Sequence, residues 1–317
     1  MPGVASMLRG PRALGYWLGL GRRRIPQDGA DLIFLCHGTP RSMADRLERQ
    51  LRYLRRAFEI VPLAAFAASV GAAGRPRRER RRAAIIFDDG LRSNVVVAYP
   101  ILRALGVPAT FFVCPGLIEE RRWLWTHEAR RRLQFAAARS RRALAGEVGA
   151  PAEVEPFVQW MKEIEFARRT QVEARLRQAT AGFVPSRADH EAFDLADWHE
   201  LRALDPSIVT IGSHSMTHPI LPSLSTAGIE AELRDSRRLL EAKLARPIDL
   251  FSYPNDDVDE RTLAAVRRHY SAAVCQGSVR GWDAHLMPCM HLPRGVLVLA
   301  WRVNQPGVHA AALSGAH

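Results

Sequence analysis

The chain has almost no lysine. Of its 45 basic side chains only Lys162 and Lys243 are lysines, so the net charge of +12 is an arginine charge. Such a bias reads as the imprint of a GC-rich coding sequence rather than as selection for phosphate contacts. The arginine cluster at 75–82 holds no aromatic on which a single-stranded base could stack, and both it and the cluster at 121–142 read as solvated basic faces, so we expect no nucleic-acid partner. Cysteine is scarce too. Cys36, Cys114, Cys275 and Cys289 stand far apart, which excludes a zinc knuckle or a disulfide scaffold and fits a reducing compartment. No apolar run approaches the ~20 residues that cross a bilayer. The N-terminal patch Ala13-Leu14-Gly15-Tyr16-Trp17-Leu18-Gly19-Leu20 is broken by glycine and leads into Arg22-Arg23-Arg24 instead of a small-residue cleavage site. Residues 1–30 are therefore expected to be a peripheral or disordered leader. The chain is expected in the cytoplasm, with arginine faces that allow peripheral contact with anionic lipid. No internal repeat is visible.

What is present is ordinary globular composition, 47% apolar and 25% charged over 317 residues, enough for a large core. Short apolar runs alternate with stretches of helical periodicity. Leu32-Ile33-Phe34-Leu35-Cys36 reads as a buried strand, and residues 43–58 carry Leu47, Leu51, Leu54 and Phe58 at helical spacing. Ile60-Val61-Pro62-Leu63 is a short extended piece. Ala83-Ala84-Ile85-Ile86 is a strand, followed by a helical pattern over 95–105 that stops at Gly106. Further strands are expected at 107–113, 208–211, 248–251, 272–274 and 295–298, with helices capped near Ser225 or Thr226 and running over 262–269. Repeated strand-then-helix units predict a mainly parallel sheet. Polar residues at several strand C-termini predict a closed or nearly closed barrel with its site at that rim. Between about 119 and 194 the pattern turns to Arg/Ala/Glu-rich helix, which we read as a helical insertion into a barrel spanning 31–300, followed by a tail at 301–317.

Two fragments carry the chemistry. Phe87-Asp88-Asp89-Gly90 follows one strand, and His214-Ser215-Met216-Thr217-His218 follows another. Alone, each is commonplace: an aspartate-glycine turn, and a pair of structural histidines. Together they supply two imidazoles and a carboxylate, a common three-ligand set that leaves a metal position open for water, with a second carboxylate available as a base.

The order Phe-Asp-Asp-Gly, Ser-His-Ser-x-Thr-His-Pro, then Phe251-Ser252-Tyr253-Pro254 resembles the polysaccharide deacetylases, the NodB-homology group of carbohydrate esterase family 4. The resemblance runs from about Leu32 to Val298. It implies an α/β fold, a distorted (β/α)7-type barrel, that removes N- or O-acetyl groups from amino sugars with a bound divalent metal. Zinc is the first expectation; cobalt, nickel or manganese also suit the donor set. Carried over by motif, Asp88 is the general base and Asp89, His214 and His218 are the metal ligands. The general acid is one of two histidines. His37 ends the first strand and resembles the early histidine of circularly permuted members. His291 lies in the part of the chain where other members place theirs, but Pro288-Cys289-Met290 is a poor strand before it. Asn255 stands where the family offers a main-chain N–H to the oxyanion. The arginine that pairs with the base in some members is replaced by Ser252, and Arg294 is the candidate to supply that charge. Trp123, Trp125 and His127 either line a sugar groove or anchor the insertion. The expected substrate is an N-acetylated glycan, glycolipid or polyprenyl-linked precursor. Hydrolysis of a non-sugar amide, and a non-catalytic glycan-binding role, are the competing readings.

Overall fold

A computed structural model describes residues 31–69, 80–276 and 287–291. The leader, the tail, Arg294 and the strand expected at 295–298 lie outside these residues. Among the described residues eight strands form in chain order: β1 (Leu32–Cys36), β2 (Glu59–Ile60), β3 (Arg82–Phe87), β4 (Ala109–Val113), β5 (Val209–Ser213), β6 (Leu250–Ser252), β7 (Ala272–Gln276) and β8 (Met287–His291). All pairings are parallel, in the order β1-β8-β7-β6-β5-β4-β3-β2, and β3 pairs back onto β1. The ring therefore closes without β2, which extends the N-terminal end of β3 through Glu59↔Arg82 and Ile60↔Ala83.

Two helices follow the first strands, α1 (Ala44–Ala57) and α2 (Leu63–Ala67). Alternation along the strands separates two apolar layers. Leu32 and Phe34 of β1, Ala83, Ile85 and Phe87 of β3, and Val209 and Ile211 of β5 pack outward against helices such as α1, through Leu47, Leu51 and Leu54. The intervening Ile33, Leu35, Ala84, Ile86, Phe112, Val274 and Met287 fill the barrel, closed off by Leu63 and Phe66 of α2. Leu63 thus begins a helix instead of continuing an extended piece. Gly212 is required inside the barrel, because a Cβ there would collide with the Phe112 ring. At the N-terminal rim Arg82 is paired with Asp31 at 2.8 Å, both buried, so the charge is not left alone in the interior.

The π-helical turn Asn94–Ala98 leads into α3 (Tyr99–Leu105), which ends at the left-handed Gly106 (φ 59°). Between β4 and β5 the chain is helical: α4 (Pro115–Glu119), α5 (Trp125–Phe135), α6 (Ala138–Val148), α7 (Val154–Glu163), α8 (Phe166–Ala179), α9 (Arg187–Phe193) and α10 (Trp198–Arg202). Trp125, Leu133, Phe157, Met161 and Leu176 form a core of their own there. Ser225 caps α11 (Thr226–Leu244) through its hydroxyl, and Asp259 caps α12 (Glu260–His269).

Residues 287–291, a poor strand by sequence, form β8. Its partners are Val274↔Met287, Cys275↔Pro288 and Gln276↔Cys289 on one side, and Phe34↔Met290 and Leu35↔His291 on the other. Proline cannot donate to a ladder and so argues against a central strand, yet Pro288 is accommodated where β8 has only its β7 neighbour.

Candidate metal centre

Strand parity delivers the polar groups. The inward series of β3 continues from Ala84 and Ile86 to Asp88; that of β1 continues from Ile33 and Leu35 to His37. Parity also directs His214 and Ser252 inward, next to Gly212 and Leu250 in their strands. Asp89 would face outward on an unbroken strand, but its left-handed conformation (φ 72°) turns the chain and Gly90 (φ 69°) completes the turn. A Cβ at Gly90 would meet Val113 of β4 at about 3 Å, so glycine allows the close approach as well as the dihedral.

Asp89, His214 and His218 are buried, and one ligating atom from each lies within 4.8 Å of the others. Asp89 Oδ1 is 3.6 Å from His214 Nε2 and 3.5 Å from His218 Nε2. Two donors each ~2.1 Å from a tetrahedral ion stand about 3.4 Å apart, so the spacing fits a divalent metal. His214 Nδ1 donates to the Ser252 carbonyl at 2.8 Å, which turns the Nε2 lone pair towards Asp89. Burial, assisted by the charge of His218, pushes the His214 imidazole down to about 3, so it is neutral and free to ligate near neutral pH. For Asp89 burial alone would raise the pKa; the neighbouring His37, His218 and His214 outweigh it and hold the carboxyl well below its ordinary range.

Asp88 is treated differently by the same pocket. Burial first, then the charges of Asp89 and Asp256, raise it well above the usual carboxylate value, while a hydrogen bond from Ser252 Oγ to Oδ2 (3.0 Å) works the other way. Its Oδ1 is buried without a partner. The Asp88 amide donates to the Cys36 carbonyl at 2.9 Å, and β1 and β3 are in register at Cys36↔Phe87. His37 thus comes abreast of Asp88. His291 pairs at the level of Leu35, deeper in the ring, on the strand beyond β1.

The second motif is pinned from α11. The Glu232 carboxylate accepts from the Met216 and Thr217 amides (2.8 and 3.0 Å) and from Thr217 Oγ1 (2.7 Å). Ser215 Oγ accepts the His218 amide, and Ser215 (φ 65°) and His218 (φ 57°) are both left-handed. Asn255 (φ 55°) and Asp256 (φ 61°) repeat this at the turn after β6; Asn255 is exposed and its side chain donates to Asp257 at 2.6 Å. Non-glycine residues in this region cost of order 1–3 kcal/mol each, and here they gather around one cleft.

A model of the polysaccharide deacetylase family matches residues 75–274, more than half of the chain. The chain belongs to the polysaccharide deacetylase family. It is thus a hydrolase of carbon–nitrogen bonds other than peptide bonds, a deacetylase of glycans. Its fold is shared with the Streptococcus pyogenes deacetylase PplD in complex with acetate (14% identity, TM-score 0.55, 84% of this chain and 93% of that one). IcaB from Ammonifex degensii is similar in the same way (16%, 0.54, 84% and 93%), as is a de-N-acetylase from Aggregatibacter actinomycetemcomitans (11%, 0.51, 84% and 95%). No curated protein sequence matches the chain.

Of the residues singled out in this deacetylase, the structure brings Asp88, Asp89, His37, His214 and His218 together. Asn255 lies on the turn after β6, and the backbone of His291 ends β8; Arg294 is outside the described residues. Ser252 does not leave Asp88 unserved, since its hydroxyl donates to Oδ2. Trp123 and Trp125 are buried anchors, not groove walls: Trp123 Nε1 donates to Asp194 and Trp125 Nε1 to the His218 carbonyl at 3.0 Å, beneath the Arg169 guanidinium. Glu232 escaped the sequence reading because it belongs to no motif, and Asp256, which follows Asn255 in the third motif, was given no role there. Among the described residues no helix is long and apolar enough to cross a membrane.

Proposed function

We propose that this deacetylase is metal-dependent and hydrolyses the N-acetyl group of an amino sugar in a glycan, glycolipid or polyprenyl-linked precursor, with zinc as its ion. The observation that carries the reading is the convergence of Asp89 Oδ1, His214 Nε2 and His218 Nε2 beside the unpartnered Asp88 Oδ1. A de-N-acetylase and an acetate-bound deacetylase among the fold's relatives support the acyl group. A bound divalent ion would polarise the acetyl carbonyl, acidify a water and, by its charge, keep Asp88 ionised.

The remaining work falls to this chain's own side chains. Asp88, held through Oδ2 by Ser252, presents Oδ1 to take a proton from the attacking water. An amine leaves an amide only after it is protonated, and His37, abreast of Asp88, is the acid we assign to that step; His291 is the alternative. The main-chain N–H of Asn255 is assigned to the developing oxyanion, and Arg294 to the charge beside the base. We also propose that 31–300 is one catalytic unit, with residues 119–194 inserted into its barrel.

Acetate release from N-acetylglucosamine oligomers, with zinc, with chelator and with Asp88→Asn, tests the reading. Zinc-dependent release that falls 10²–10⁴-fold in the variant, at unchanged zinc content, is expected from the loss of a general base. Stoichiometric zinc without acetate would direct the search to non-sugar amides. Failure to bind zinc would leave a glycan-binding protein on the same barrel.

A further inference from the structure

Outside the three ligands and the base, one side chain from the helical segment between β4 and β5 shares the same electrostatic cluster. His127 sits in the first turn of α5, two residues after the tryptophan that hydrogen-bonds the His218 carbonyl. Its ring packs on Phe193 at 4.8 Å, tilted by 36°, and Trp123 meets the same Phe193 at 5.4 Å. This aromatic support holds the imidazole by its face and leaves its edges for hydrogen bonds. Nδ1 is buried and has no partner, while the residue as a whole is only partly buried. The ring lies close enough to Asp89, His218 and His37 to feel the charge of all three.

An unpartnered buried ring nitrogen costs about 1–3 kcal/mol, which a fold tolerates where a ligand removes the cost. The other unpartnered atoms of this cluster, Asp88 Oδ1 and His218 Nδ1, belong to the chemical centre itself. We propose that His127 is a substrate-binding residue, presented from α5, whose imidazole hydrogen-bonds the sugar that carries the acetyl group. The inference rests on the deacetylase reading for the identity of the sugar. It assigns to the helical segment a direct role in recognition, where Trp123 and Trp125 serve only to hold it in place. The bond needs a neutral imidazole, with one nitrogen to donate and one to accept, to match a hydroxyl or an acetamido group.

The test uses the full zinc-loaded chain, with His127→Phe and His127→Gln. Zinc content, kcat and KM are measured, and an N-acetylglucosamine pentamer is titrated calorimetrically into each variant placed on Asp88→Asn. Both variants should keep stoichiometric zinc. His127→Phe should lower kcat/KM about tenfold to hundredfold, mainly through KM, and weaken pentamer binding by a similar factor. His127→Gln, which retains a donor and an acceptor, should recover part of both. A folded, zinc-loaded His127→Phe with wild-type kcat/KM and pentamer affinity overturns the inference; so does loss of zinc, which would place His127 in service of the ion. If the parent chain releases no acetate yet its pentamer binding depends on His127, the inference stands and the deacetylase reading falls. If it neither releases acetate nor binds pentamer, both fall.

Discussion

Replacing Glu232 should loosen the metal centre from a distance. The carboxylate accepts two amides and a hydroxyl from Met216 and Thr217, two of the residues between His214 and His218. Hydrogen bonds to a charged group cost roughly 1.5–3 kcal/mol each when broken. Glu232 is only partly buried, so water recovers part of that loss, and we expect Glu232→Ala to destabilise the metal-free protein by about 3 kcal/mol. The loop also carries left-handed Ser215 and His218, each strained by about 1 kcal/mol or more and held in place by these bonds. Released, His218 Nε2 no longer stays 3.5 Å from Asp89 Oδ1, and zinc affinity should fall about tenfold to hundredfold. Glu232→Gln, able to accept at only one atom of its amide, should fall between wild type and alanine. Urea unfolding of the chelator-treated protein reads the first effect, and competition for zinc with a chromophoric chelator reads the second. Wild-type zinc affinity in Glu232→Ala would refute the argument, because it would mean that the loop keeps its ligand geometry without the carboxylate.

Three further outcomes follow from the geometry. Burial lowers His127 to about 4, partly offset by Asp89, so it is neutral in the fold and protonates first in the unfolded chain. Stability from this group is therefore complete above about pH 6.5 and is lost as pH falls towards 4, by about 2 kcal/mol once the ring's partly exposed edge is allowed for; metal-free His127→Phe should melt with a correspondingly weaker pH dependence over that window. Gly212→Ala drives a methyl into the Phe112 ring inside the barrel and should cost about 1–3 kcal/mol in denaturant unfolding; unchanged stability would mean that the interior has slack. His37→Ala should reduce acetate release 10²–10⁴-fold and remove the alkaline limb of the pH–rate profile, and if His291→Ala does so instead, the acid belongs to β8.

The parts of the site legible in the sequence are those that obey local rules. Asp88 and His214 continue the inward parity of β3 and β5, so an apolar run followed by a polar residue was enough to place them at the rim. Gly90 and Gly106 mark turns for the same local reason. Asp89 was placed only through the motif, because its left-handed turn breaks the parity that a strand pattern supplies. β8 was missed because Pro288 counts against a strand locally, whereas the cost depends on which edge of the strand the missing N–H faces, and only the assembled ring decides that. The tryptophans opening the helical segment carry apolar area that either a sugar or a core can use. Their indole N–H groups resolve it, one bonded to Asp194 and the other to the His218 carbonyl. That second bond ties the helical segment to the loop that carries His214 and His218, across some ninety residues of sequence. A partner that remote leaves no periodicity and no spacing to read. Ser252 on Asp88 and Glu232 on the Met216 amide are of that kind, which is why the candidate ligands could be named from the chain and the groups that hold them could not.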